Sequence, residues 1–149
     1  MNNILVPLGT SPDSHETLKY AIDFAADFAA SVFIMDVFMV STTAGTLGKV
    51  TDKVANTSRD KIKELVASMD TKGVDVKIAS YNGDIVDGLK EINRELAIDL
   101  IIIAPRSNDI NEALYLGNTS GRIIKQTDIP TLVVPKGTSY KPVKSILTA

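Results

Sequence analysis

The stretch from Asp99 to Gly121, DLIIIAPRSNDINEALYLGNTSG, constrains this chain most, because a continuous apolar run passes through a polar loop into a Gly-Asn-Thr-Ser helix start. In open α/β sheets ligands sit beyond the carboxyl ends of parallel strands, and the free N–H groups at the next helix's N-terminus attract anions. The layout is that of a phosphate site. The glycines that let a backbone approach a phosphate closely are sparse in it, with Ala104 and Ser107 before the loop and only Gly117 after it.

The rest of the chain repeats the alternation of strand and helix. Asn3 to Leu8, NILVPL, is a β-branched run ended by Gly9-Thr10-Ser11-Pro12-Asp13, a turn with a helix start inside it. From Ser14 to about Ala30, Leu18, Ala21, Ile22, Phe24, Ala25 and Phe28 recur at helical spacing, with Glu16 in the first turn where the helix dipole favours an acid. Ser31 to Val40 reads as a second buried strand, and Ser41 to Gly48 as a small-residue loop of low packing power. A second helix is expected from about Lys49 to Met69, closed by Lys72-Gly73 as a C-terminal glycine cap.

Val74 to Tyr81 alternates apolar and polar residues and suits an edge strand with one wetter face. Asn82-Gly83-Asp84 then turns into a third helix striped by Ile85, Leu89, Ile92 and Leu96. Leu100 to Ala104 is the fourth strand, Gly117 to Thr127 the last helix, and Thr131 to Pro135 the fifth strand. This spacing implies right-handed crossovers and the α/β class: an open, doubly wound, five-stranded parallel sheet in the order 3-2-1-4-5, with helices on both faces and a switch point between strands one and four.

Composition narrows the function classes. The chain has 149 residues, 44% of them hydrophobic, enough for one domain that needs no staples. With no Cys there is no disulfide framework and no thiolate metal site, and a lone His15 rules out His-rich clusters. A cytoplasmic location is the default expectation. A net charge of −2 with dispersed Lys and Arg gives no footprint for nucleic acid, and no segment approaches the roughly 20 apolar residues that span a bilayer.

The tail repeats the opening. Asn2-Asn3-Ile4-Leu5-Val6-Pro7 and Lys144-Ser145-Ile146-Leu147-Thr148-Ala149 share two polar residues followed by Ile-Leu, so residues 138–149 read either as a linker leading into a second copy of the domain, residues 1–137, or as a tail that packs on its own domain or on a partner.

Together these residues resemble the universal stress protein family over residues 2 to 136. ILVPLGTS is similar to the family's opening strand and turn, ILVP-x-D-G-S, and VFIMDVF to a second strand that often ends in His-Val-Val. Asn82-Gly83-Asp84 is similar to a Gly-Asp turn before the third helix, and the end region resembles G-x-x-G-x9-G-S/T followed by a helix and a TLVVP-like strand. The resemblance implies an adenine nucleotide α-hydrolase-like fold. Carried over residue by residue, the nucleotide motif falls on Ala104-x-x-Ser107-x9-Gly117-Asn118, with Thr119 following. Pro7 and Gly9 in the opening strand and turn, Val37 beside adenine, and Ile103 ahead of the loop complete the cofactor-binding set that the resemblance implies.

Spacing is kept and chemistry is partly replaced. Ala104 adds a methyl where backbone and phosphate would touch, Ser107 takes a positive φ only with strain, Pro105 removes a donor, and Gly9 stands where the family has Asp. Gly117 to Ser120 reads as a plain cap or an anion-binding helix start, Arg106 more readily as a solvated side chain than as a phosphate contact, and Gly83 with Asp84 equally as a turn or a ribose contact. Asp13, Ser14 and His15 are too close in sequence to form a relay, and Asp99, at a strand's amino end, is assigned no chemistry.

The expected function is that of a non-enzymatic stress-response binding or regulatory module with weak or no ATP binding and unidentified protein partners. The alternative is an ATP- or AMP-binding sensor built on the strand-four loop and the Gly117 helix start. The resemblance also implies a homodimer through Thr131–Pro135, an edge that a tandem second domain would otherwise occupy.

Overall fold

A computed structural model describes residues 2–7, 14–38, 59–104, 123, 125–135 and 137–141. Its strands are β1 (Asn3–Pro7), β2 (Ser31–Phe38), β3 (Val76–Asn82), β4 (Leu100–Ile103) and β5 (Thr131–Val133). They form one five-stranded sheet in the order β3-β2-β1-β4-β5, and every pairing is parallel. The helices are α1 (Ser14–Phe28), α2 (residues 59–67) and α3 (Ile85–Leu96), and residues 123, 125 and 126 are also helical.

Parity along the strands explains the two-faced packing. Successive strand residues face opposite sides, so Ile4, Val6, Val32, Ile34, Leu100 and Ile102 join the cluster of α1, where Leu18, Ala21, Ile22 and Ala25 are buried. Ile62, Leu65 and Val66 of α2 pack against that same cluster. Leu5, Met35, Ile101 and Ile103 face the other way, onto Leu89 and Ile92 of α3 and onto Ile123. A run such as Leu100–Ile103, buried at every position, is therefore what a strand covered on both faces requires. Burying one side chain such as Leu89 contributes about 1.5–3 kcal/mol.

Element ends follow local hydrogen bonding. Helix α1 stops at Phe28 because Ala29 turns left-handed at φ 52°, and the Ala30 amide closes on the Ala25 carbonyl at 3.0 Å. The second helix, expected to run to Met69, ends at residue 67, and Lys72-Gly73, expected as its cap, forms a separate turn of two left-handed residues, φ 52° and 78°. Strand β3 begins at Val76 and not Val74, since the Val74 amide donates to the Thr71 carbonyl at 2.8 Å within that turn. Asp84 caps α3 by accepting from the Val86 amide at 3.1 Å, and Ala97, at φ 52°, ends it.

The amino ends of the strands are laced together by side chains. Asp99 Oδ2 accepts from the Asn2 and Asn3 amides at 2.8 and 3.0 Å. These bonds, Asn2 first, hold the Asp99 carboxyl below its ordinary value. Asn3 Nδ2 donates to the Leu96 carbonyl at 2.6 Å, and Asn93 Oδ1 accepts from the Ile98 amide at 2.8 Å. Asp99, read from the sequence as carrying no chemistry, thus has a role in holding β1 to β4.

Part of the tail is also placed. The Tyr140 ring packs edge-on to Tyr20 and Phe24, at centroid distances of 5.5 and 5.6 Å, and its hydroxyl donates to Asp27 Oδ2 at 2.6 Å. Burial and the Asp27 carboxylate push the Tyr140 phenol up to about 12. The Gly137 amide donates to Glu16 Oε2 at 3.1 Å, so residues 137–141 lie along α1. Residues 142–149, which carry the echo of the opening strand, lie outside the described residues. No helix among the described residues is long and apolar enough to cross a membrane.

Candidate functional site

The chain reverses its winding direction at β1, whose neighbours β2 and β4 are reached by opposite turns of the fold. A crevice for ligands opens at the carboxyl ends of the strands beside such a reversal. Pro7 ends β1 in register with Met35 of β2. A proline cannot donate to the ladder, which favours ending a central strand there. Val37 stands two residues beyond Met35, paired in register with Tyr81 of β3. Ile103 ends β4, buried, and the half-buried Ala104 follows it.

The structure therefore brings Pro7, Val37, Ile103 and Ala104 to one rim of the sheet. Val37 and Ile103 pack on the α3 side, with Leu5 and Met35 beneath them. Gly9, Ser107, Gly117, Asn118 and Thr119 lie outside the described residues, as does Arg106. The described part of the site is apolar on this face, with Val37 on β2 and Ile103 on β4 to either side of β1.

Two features of this rim escaped the sequence reading. The first is Asp36, a carboxylate only 4% exposed, one residue ahead of Val37 and on the opposite face. Ser80 is its register partner on β3, and the Arg59 guanidinium of α2 donates to Ser80 Oγ at 3.3 Å. A charged residue in the middle of VFIMDVF was the available signal.

The second is Tyr81. A Cβ at Gly88 of α3 would stand 2.7 Å from Tyr81 Cδ1, and one at Gly83 would stand 3.0 Å from Cε1. Gly83 also holds φ +145°, where side chains are strained. The turn at Asn82-Gly83-Asp84 thus houses an aromatic ring, and its Asp84 serves as a helix cap. A glycine inside an otherwise regular helix was the signal for the close approach at Gly88.

His15 is exposed on the first turn of α1. Among the described residues no group of three or more His, Cys, Asp or Glu side chains could hold a metal ion.

A parallel sheet in this order, covered by helices on both faces, has an adenine nucleotide α-hydrolase-like fold. Residues 1–135 match the Universal stress protein family, and the chain belongs to that family. Universal stress protein MJ0531 of Methanocaldococcus jannaschii is 25% identical over 138 residues, 89% of this chain and 81% of that protein. Among solved structures, hypothetical protein MJ0577 has a TM-score of 0.77 at 20% identity, over 93% of this chain and 98% of that one. The universal stress protein from Archaeoglobus fulgidus in complex with dAMP has a TM-score of 0.64 at 14% identity, over 89% of this chain and 97% of that one. At these identities the solved structures speak for the fold.

Proposed function

We propose that this chain is a non-catalytic regulatory domain that binds an adenine nucleotide reversibly at the carboxyl rim, with binding shifting the equilibrium of a neighbouring loop or partner. The convergence of Pro7, Val37, Ile103 and Ala104 at that rim carries the proposal. The dAMP bound to the similar Archaeoglobus fulgidus protein supports the choice of ligand class. A regulatory and not a catalytic role is favoured because Gly9 supplies no carboxylate for a metal in the opening turn.

One observation favours a second function, a protein-interaction module indifferent to nucleotides. Ala104, the residue after β4, carries a methyl where a glycine would admit a phosphate. In both cases β5, one of the two outer strands of the sheet, is the expected pairing edge for a second copy.

Isothermal titration of the nucleotide-stripped protein with Mg-ATP and with AMP separates the two. A micromolar constant, roughly −8 kcal/mol, is the expected result. No heat and no thermal stabilisation at millimolar nucleotide would overturn the sensor in favour of the interaction module. Ala104→Gly with Ser107→Gly and Gly9→Asp is expected to tighten binding at least tenfold, and unchanged affinity would show that the phosphate does not sit at this loop.

A further inference from the structure

Three strand spacings separate Ala104, after β4, from Tyr81 on β3, a distance on the order of 14 Å. A mononucleotide whose phosphate lies after β4 and whose base runs along the rim over β2 brings that base toward β3. The side chains there on the α3 side are Val37 and its register partner Tyr81, on adjacent strands.

The Tyr81 ring is half-buried and held in place. The missing side chains of Gly83 and Gly88 leave the space it fills, with Cε1 against the one and Cδ1 and Cγ against the other. A ring fixed in this way gives up little rotamer freedom when a ligand arrives, so most of the stacking attraction appears as affinity.

We propose that Tyr81 is the specificity-determining residue of the rim, forming the aromatic wall on which the base of a bound nucleotide stacks; this rests on the nucleotide-binding function proposed above. Stacking uses the π-face, so it discriminates a ligand with a base from one without, and a broad purine from a smaller pyrimidine. The phosphate and sugar contacts at β4 are left unaffected.

Titration of the full chain, its Tyr81→Leu variant and its Tyr81→Phe variant with AMP, CMP and ribose 5-phosphate tests this. Wild type is expected to prefer AMP over ribose 5-phosphate by about tenfold or more, with CMP between them. Tyr81→Phe is expected to keep that preference and Tyr81→Leu to lose most of it. A merely structural role would weaken all three ligands together and leave their ratio unchanged, so an intact ratio in Tyr81→Leu overturns the stacking wall while the nucleotide site stands. No binding of AMP or ATP by wild type overturns both. If Tyr81→Leu does not fold, tyrosine fluorescence decides: AMP is expected to quench wild type and not Tyr81→Phe, and equal quenching of the two overturns the proposal.

Discussion

The two rims of the sheet are built on opposite plans. At the amino rim side chains are consumed in holding the chain to itself, with Asp99, Asn3 and Asn93 each closing backbone groups of a different segment. At the carboxyl rim the described residues facing α3 are apolar, small or aromatic, and the two glycines near Tyr81 make room for its ring. In a parallel fold all strands end on the same side, so a division of labour between rims arises readily: one is free to be optimised for cohesion, the other left uncommitted for a ligand.

The contrast breaks most sharply at Gly88. Gly88→Ala gains helix propensity but drives a methyl to 2.7 Å from Cδ1 and 2.9 Å from Cγ of Tyr81, and the expected net loss is about 1–2 kcal/mol. Denaturant unfolding checks it, and an unchanged midpoint would mean the ring moves aside without cost.

Asp99→Asn is expected to cost less, to leave nucleotide affinity unchanged, and to show its effect through pH. The folded-state carboxyl is held below its ordinary value, so its contribution is complete above the unfolded pKa and disappears as pH falls through the folded one. Wild type and variant should differ at neutral pH and converge in acid; a constant gap in acid melts would show that the charge is not what matters.

The smallest effect, and one of opposite sign, is expected at Ala97. A left-handed alanine is strained where glycine is not, and after glycine's entropic cost Ala97→Gly gains a few tenths to about 1 kcal/mol. A raised melting temperature with unaltered ligand binding would sharpen the separation of the rims.

How much of this was legible in the sequence depended on range. Leu100–Ile103 declared itself because four consecutive apolar residues suit a strand buried on both sides, and the strand order followed from the alternation of elements. The start of β3 did not, since Val74 and Val76 are equally β-branched and only the Thr71 carbonyl decides which joins the ladder. Asp99 was correctly placed at an amino end, but its partners lie at the far end of the sequence. Of the candidate site, Ala104 came from a motif whose spacing is preserved and Pro7, Val37 and Ile103 from the wider family resemblance, whereas Tyr81 and Asp36 owe their surroundings to neighbouring strands and helices. No local pattern records a ring fitted against a glycine of another element.

The contact of Tyr140 with α1 has a mechanical consequence. Tension applied to the chain beyond Lys141 meets the Tyr20, Phe24 and Asp27 contacts before it reaches the three residues of β5. The shortest strand of the sheet is thereby relieved of load. Whatever pulls on that end of the protein pulls first on a helix packed over the centre of the domain, and the outer strand keeps its register while the anchor holds.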